Sequence, residues 1–236
     1  YQDYADLLAN YCFEMKAQGV PLYAVSLQNE PDANVPYESC VWSEQQFADF
    51  LPYVGEAFAA RGLDTKIMLA EESGWSFDSV NTIMANPALS KYVGILAAHN
   101  YNQTFAPYRP VAGTGGLPVW QTEVYLRARD AADPNPDLSS ALNLADDIRE
   151  AISVGASAYH YWWLDVDSGV GALLNAGAAT KRLWAMGQYS RFVRPGWVTI
   201  GTTEDAASGL GITAFKDPAS GAFAIVVVNE SAADIS

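Results

Sequence analysis

Basic side chains, histidine and cysteine are all scarce in this chain of 236 residues. The chain carries 13 lysines and arginines against 27 aspartates and glutamates, which gives a formal net charge of −14. The few basic residues form no cluster, so nucleic acid and anionic membrane surfaces are unfavourable partners. No apolar run approaches the roughly 18 residues that a transmembrane helix requires. We therefore expect no nucleic-acid partner and no membrane partner.

The patterns of metal and cofactor sites are missing as well. Cys12 and Cys40 have no histidine near them, which does not fit a zinc site. Nothing in the sequence aligns the two cysteines for a disulfide, so we expect both to be unpaired. No glycine-rich phosphate loop follows a strand, and Asp165 and Asp167 lack the ligand spacing of a calcium loop. The sequence predicts neither a metal nor a cofactor.

Aromatic residues and alternating segments are what the chain has in abundance. It contains seven tryptophans, 13 tyrosines and nine phenylalanines, a supply that suits stacking against sugar faces as well as core packing. Helix-like stretches separate strand-like runs, and the predicted strands are residues 22–27, 66–70, 94–101, 119–124 and 158–164. This alternation indicates an α/β fold with a parallel sheet. Two architectures fit it, a closed (β/α)8 barrel and a doubly wound open sheet.

The alternation of helix-like and strand-like segments ends after Arg194. Short strand-like segments follow with no helix between them, and residues 216–221 have the composition of a hairpin turn. We therefore expect a domain boundary near Arg194. Residues 1–193 would form the α/β domain, and residues 194–236 would begin a second, β-rich domain.

Polar or aromatic residues lie at the carboxyl end of each predicted strand of the α/β domain. They are Asn29, Glu30, Glu71, Glu72, His99, Tyr101, Glu123, Tyr125, Trp162 and Trp163. Convergence of strand carboxyl ends on one polar, aromatic site is typical of a TIM barrel, which favours that architecture. Glu30 and Glu123 end strands that are three positions apart. In an eight-stranded barrel these two side chains face each other across the mouth.

Two facing carboxylates suit glycoside hydrolysis. One carboxyl group protonates the leaving oxygen, and the other attacks the anomeric carbon or activates water. A gap of about 5–5.5 Å between the groups gives retention of configuration through a covalent intermediate, and a wider gap gives inversion. The non-enzymatic alternative is a carbohydrate-binding relic that keeps the cleft without turnover. The presence of both carboxylates favours the enzyme.

Five motifs resemble glycoside hydrolase family 30, a family of clan A retaining glycosidases. They are YAVSLQNEPD at 23–32, YESC at 37–40, WQTEVY at 120–125, YHYWWL at 159–164 and AMGQYSRFVRPG at 185–196. The resemblance implies a (β/α)8 barrel with a side β-sandwich, Glu30 as acid/base, Glu123 as nucleophile and no cofactor. It equates their strands with barrel strands four and seven. We therefore expect an internal fragment that carries strands four to eight, from an enzyme that is a monomer when full length.

The expected substrate contacts are Asn29, His99, Tyr101, Tyr125, Trp162 and Trp42. By the resemblance, Asn29 would bond the sugar 2-hydroxyl and Trp162 would stack under the sugar in the −1 subsite. His99 and Tyr101 lie two positions apart on one strand and so share a face, where they would contact the carboxylates or the sugar. For Trp42 two interpretations stay open, lining of the cleft and simple packing in its loop.

The resemblance also narrows the substrate. Members of the family cleave xylan, glucuronoxylan, β-1,6-glucan, β-1,6-galactan or glucosylceramide, and the 37–40 loop is most similar to the bacterial xylanases. Glucuronate-dependent members carry an arginine after strand eight, whereas residues 165–171 of this chain read DVDSGVG. We expect an endo-β-1,4-xylanase without strict glucuronate dependence, and a β-1,6-glucanase or β-1,6-galactanase is the alternative. Because such polymers cannot enter a cell, we expect secretion, with a signal peptide in a preceding N-terminal part of the protein.

Overall fold

The structure is a computed structural model that describes residues 1–102, 104–107, 116–126, 136–167, 171–203, 209–229 and 231. These residues form two compact units. The first comprises Tyr1–Glu123 with Gly155–His160, and the second comprises Val124–Val154 with Tyr161–Ser236. The domain boundary near Arg194 stays a prediction.

The first unit contains a five-stranded sheet and the helices that connect its strands. Its helices are α1 (Gln2–Ala17), α2 (Glu44–Ala60), α3 (Asn81–Ala85) and α4 (Pro87–Ser90), with a 3-10 turn at Asp78–Val80. Its strands are β1 (Ala24–Ser26), β2 (Lys66–Glu72), β3 (Val93–Ala98), β4 (Val119–Gln121) and β5 (Ala156–Tyr159).

All neighbouring strands of this sheet are parallel, and their order is β1-β2-β3-β4-β5. Each strand therefore pairs with its neighbours in the chain, without the reversal of order that marks a doubly wound sheet. The order decides between the two predicted architectures in favour of the barrel. Because parallel strands all end at the same edge, the residues that follow β1, β3 and β4 are brought together there.

Helix α2 begins at a capping box. The Ser43 hydroxyl accepts from the Gln46 N–H at 3.3 Å, and the Gln46 side chain accepts from the Ser43 N–H at 2.9 Å. The helix buries an apolar face made of Phe47, Phe50, Leu51, Val54, Ala57 and Phe58. Helix α1 packs against α2 and buries only small side chains, Ala5, Ala9 and Cys12. Small residues let two helices approach closely, which suits the packing of α1 on α2.

The two cysteines are unpaired, as expected from the sequence. Cys12 is buried and Cys40 is exposed. Burial raises the pKa of the Cys12 thiol, so it stays protonated at neutral pH and behaves as a small apolar side chain.

Gly55 of α2 lies against the ring of Tyr92, where an added Cβ atom would collide with Cδ1 and Cε1 of that ring. Alanine forms helix better than glycine by about 1 kcal/mol, but forcing a methyl group into a packed contact costs roughly 1–3 kcal/mol. The balance of these two effects is a loss, so we expect Gly55→Ala to lower the free energy of unfolding by up to about 2 kcal/mol in urea denaturation. Gly187 is the matched control because its Cβ would meet nothing within 4 Å, so Gly187→Ala is expected to stabilise. Equal stabilisation by both variants would contradict this packing.

The second unit contains α5 (Pro136–Ser153), α6 (Lys181–Ser190) and two three-stranded sheets. One sheet consists of β9 (Val198–Ile200), β10 (Leu210–Lys216) and β11 (Phe223–Asn229), and the other of β6 (Asp165–Val166), β7 (Leu174–Asn175) and β8 (Ala178–Ala179). The small β6–β8 sheet was not predicted, because strands of two residues are too short to show alternation.

The predicted hairpin turn is confirmed between β10 and β11. The Asp217 N–H donates to the Ala222 carbonyl oxygen at 2.8 Å, and the Gly221 N–H donates to the Asp217 carbonyl oxygen at 2.9 Å. The two strands pair antiparallel over their whole length. Within the described part of the chain, no helix combines the length and the hydropathy needed to cross a lipid bilayer.

Candidate active site

A carboxylate pair and a histidine lie together where β1, β3 and β4 end. Oε1 of Glu30 is 3.0 Å from Nδ1 of His99, and the same nitrogen is 3.9 Å from Oε1 of Glu123. One carboxylate oxygen of Glu30, one of Glu123 and a ring nitrogen of His99 all lie within 4.8 Å of one another. That spacing fits the short gap at which one carboxylate can attack a sugar directly, and it is well below the roughly 6.5–9.5 Å that an inverting enzyme needs for its water.

Tyr101 orients Glu123. Its hydroxyl donates to Oε1 of Glu123 at 2.8 Å, and its ring meets the His99 ring edge to face with centroids 5.9 Å apart. His99 is only 1% exposed, and its main-chain N–H donates to the Glu72 carbonyl oxygen at 2.9 Å. Both rings are therefore fixed by packing and by main-chain hydrogen bonds.

The side chains of Glu30, His99 and Glu123 are also of the types that ligate zinc. Hydrogen bonds already account for their arrangement, because His99 engages Glu30 and Tyr101 engages Glu123. We therefore interpret the cluster as a hydrogen-bonded group of two carboxylates and a histidine.

Glu30 adopts a backbone conformation that is rare for a residue with a side chain, with φ of 44°. Such a residue costs of order 1–3 kcal/mol and persists only where the surroundings over-determine it. The Glu30 N–H donates to the Glu71 carbonyl oxygen at 3.0 Å, and the Glu30 carbonyl oxygen accepts from the Ala33 N–H at 3.0 Å. Strain of this kind clusters at functional sites.

Two other predicted contacts lie in the first unit. Asn29 is exposed and directly precedes Glu30. The ring of Trp42 packs instead into an aromatic cluster with Tyr4, Phe47 and Phe50, at centroid distances of 6.3, 5.1 and 5.4 Å. These contacts favour the packing interpretation of Trp42 over the lining of a cleft.

Tyr125 and Trp162 belong to the second unit. The Tyr125 ring stacks on Trp163 with centroids 5.8 Å apart and planes 11° apart. Trp162 is 45% exposed, and its peptide bond to Trp163 is cis. Residues 168–170, part of the segment that bears on glucuronate dependence, lie outside the described residues.

Two side chains near these positions were not predicted from the sequence. The Thr122 hydroxyl, next to Glu123, donates to Oε1 of Glu71. The Tyr161 hydroxyl lies 2.6 Å from the Gly171 carbonyl oxygen and accepts from the Leu126 N–H at 2.9 Å. Burial raises the pKa of Tyr161, so the hydroxyl keeps the proton that it donates. In both cases the only sequence signal is a hydroxyl residue at a strand end.

Comparison with known proteins finds no family profile that matches the chain, but it finds related proteins. The glucuronoxylanase XynC of Bacillus subtilis (strain 168) is 29% identical over 236 residues, which cover 98% of this chain and 53% of that protein. A second Bacillus subtilis glucuronoxylanase XynC sequence is 29% identical over 221 residues, 92% of this chain and 50% of the relative. The chain thus spans about half the length of the curated relatives it matches.

Solved structures show the same relationship. The family 30, subfamily 8 glycoside hydrolase Xyn30A, a xylanase from Clostridium acetobutylicum, has a TM-score of 0.83 and 30% identity, with 98% of this chain and 56% of that chain covered. The catalytic domain of xylanase C from Talaromyces cellulolyticus has a TM-score of 0.76 at 24% identity, with 96% and 53% covered. The latter likeness shows the fold alone.

Proposed function

We propose that this chain is part of a glycoside hydrolase of family 30, to which its relatives at 29% and 30% identity point, and that it carries the two catalytic carboxylates of a retaining β-glycanase that cleaves xylan. The observation that carries the proposal is the approach of Glu30 and Glu123, whose oxygens lie within 4.8 Å of each other beside His99. At that distance both carboxyl groups reach one anomeric centre, one at the leaving oxygen and the other at the carbon.

The proposed reaction has two displacements. In the first, a carboxylate oxygen of Glu123 forms a bond to the anomeric carbon while the glycosidic C–O bond breaks, and the leaving oxygen takes a proton from Glu30. In the second, Glu30 takes a proton from water, the water oxygen bonds the anomeric carbon, and the bond to Glu123 breaks. Two inversions at one carbon return the original β configuration.

Tyr101 and His99 prepare the pair for these steps. The Tyr101 hydroxyl donates a hydrogen bond to Oε1 of Glu123. The other carboxylate oxygen, Oε2, is then the one that attacks the sugar. His99 contacts Oε1 of Glu30 from a buried position, so it holds that carboxyl group in place. Both contacts exist before substrate arrives, so little reorganisation is needed during the reaction.

Xylan is proposed as the substrate because the relatives at 29% and 30% identity are named as a glucuronoxylanase and a xylanase. The segment at 165–171 has two aspartates and no arginine, which supports cleavage without a strict need for glucuronate. A polymer of this size is met outside the cell, so we propose that the enzyme acts extracellularly.

Product analysis tests this proposal. The natural protein that carries this chain is incubated with xylan, glucuronoxylan, β-1,6-glucan and β-1,6-galactan, and the anomeric configuration of the first products is followed by proton NMR. We expect cleavage of both xylans, with the β anomer formed first. First products of α configuration would refute the retaining mechanism, and cleavage confined to a β-1,6-linked polymer would refute the substrate.

Removal of the Tyr101 hydroxyl tests the orientation of Glu123. Hydrogen bonds to charged groups contribute about 1.5–3 kcal/mol, so we expect Tyr101→Phe to lower kcat roughly 10- to 100-fold with a small change in KM. Tyr53→Phe is the matched control, because Tyr53 is an exposed residue of α2. Equal kcat values for the two variants would show that Tyr101 does not hold the nucleophile.

A further inference from the structure

We propose that Glu71 is a positioning residue that couples the two catalytic carboxylates, one through its main chain and the other through its side chain. Its carbonyl oxygen accepts from the Glu30 N–H at 3.0 Å, and its carboxylate accepts from the hydroxyl of Thr122, the residue before Glu123. The catalytic role of Glu71 rests on the proposed function, whereas its contacts with Glu30 and Thr122 are independent of that function.

A β-bulge creates this arrangement. In the ladder between β2 and β3, Ala70 pairs with Ala97 and Glu72 pairs with Ala98, so Glu71 is an extra residue without a partner in that ladder. Ala70 and Glu71 both have positive φ values, 81° and 58°. A bulge bends its strand and re-aims the side chain of the inserted residue. The bulge therefore explains how a residue of β2 reaches across β3 to β4.

The side chain of Glu71 is buried, with 7% of the residue exposed. A carboxylate placed there loses contact with water and is tolerated only where it is hydrogen-bonded. Thr122 supplies a hydrogen bond, although its hydroxyl also lies 3.4 Å from the Ala98 carbonyl oxygen. Without Glu71 the hydroxyl would donate to Ala98 instead, so Glu71 sets the direction in which the Thr122 hydroxyl donates next to the nucleophile.

The main-chain contact acts on the other carboxylate. Glu30 holds its left-handed backbone conformation while its N–H is bonded to Glu71. Glu30 and Glu71 are thus two non-glycine residues in the left-handed backbone conformation, and one main-chain hydrogen bond joins them. A shift of Glu71 therefore moves the hydrogen-bond acceptors of Glu30 and of Thr122 together. Glu71 thus influences the positions of both catalytic carboxylates.

Kinetics of Glu71→Ala, Glu71→Gln and Thr122→Val test the proposal in the natural protein that carries this chain. We expect Glu71→Ala and Thr122→Val each to lower kcat for xylan roughly 10- to 100-fold with KM changed less than about threefold, because a displacement near 1 Å has effects of this size. Glu71→Gln keeps an acceptor for Thr122 and should recover most of kcat. The Glu71→Ala/Thr122→Val double variant should be no slower than either single variant, since both remove one hydrogen bond.

Glu44→Ala is the matched control. The Glu44 carboxylate also accepts from the main chain of a neighbouring segment, the N–H of Thr82 at 2.7 Å, but it takes no part in the carboxylate site. We expect it to lower thermal stability and leave kcat within about twofold. An active wild type with an unchanged Glu71→Ala kcat, or a loss that appears in KM alone, would overturn the proposal.

Crystal structures of the wild type and Glu71→Ala decide the geometric part without any activity. The expected difference is a Thr122 Oγ1 that moves closer to the Ala98 carbonyl oxygen than 3.4 Å and a Glu123 carboxylate displaced by about 1 Å. An unmoved Glu123 would overturn the positioning role. A wild type that hydrolyses none of the polysaccharides would overturn the proposed function alone, since the crystallographic comparison still tests Glu71.

Discussion

Glu123→Gln is expected to lower kcat on xylan by roughly 10⁴- to 10⁶-fold, because loss of the residue that forms a covalent intermediate removes the whole double-displacement route. Glutamine keeps the size of the side chain and its contact with the Tyr101 hydroxyl, so binding of xylan should survive. The measurements are steady-state hydrolysis and calorimetric titration with a xylo-oligosaccharide.

Glu56→Gln is the control for this experiment, because Glu56 is an exposed glutamate of α2 and should keep wild-type rates. Equal rates for Glu123→Gln and the wild type would defeat the enzymatic interpretation. Binding without hydrolysis by the wild type itself would favour the carbohydrate-binding alternative raised by the sequence.

Glu30→Ala is expected to show a different pattern that depends on the leaving group. On xylan, loss of the general acid should lower kcat roughly 10²- to 10⁴-fold. On an aryl xyloside with an acidic phenol, which departs without a proton, the first displacement should be nearly as fast as in the wild type. The glycosyl-enzyme should then accumulate, because no base activates water for the second displacement.

Azide distinguishes the two carboxylates. It is an anion that needs no base, so it should restore turnover of Glu30→Ala and yield a β-glycosyl azide. In Glu123→Ala, azide would replace the nucleophile itself and yield the α product. A β azide from the Glu123 variant would show that the two roles are assigned the wrong way round.

The strands, and the strand ends that bring these side chains together, can be predicted from the sequence. Periodicity and turn residues locate all five strands of the sheet, and the Gln28-Asn29-Glu30-Pro31 segment marks the first strand end. Parallel pairing then requires that Glu30, His99 and Glu123 end at one edge. Strands β3 and β4 end earlier than predicted, at Ala98 and Gln121, whereas β2 continues to Glu72, past its predicted end at residue 70. Glu30, His99 and Glu123 all follow the last residues of their strands.

Other features could not be predicted because they depend on contacts across the sheet. The bulge at Glu71 arises from the register between β2 and β3, and no residue of that segment is a glycine that would signal a left-handed conformation. For Trp42 the sequence left cleft and core as alternatives, since an aromatic residue in a loop suits both. Its contacts with α1 and α2 are set by how those helices pack.

The placement of Trp42 has a consequence for the segment that precedes it. The Trp42 N–H donates to the Pro31 carbonyl oxygen at 3.0 Å, so residues 31 and 42 close the base of a loop, and the indole ring fastens that base to the helices. Lengthening a loop whose ends are already tied adds little entropic cost. The loop between residues 33 and 42 can therefore change in length while Glu30 stays in place, which leaves a surface that can vary without disturbing the carboxylate pair.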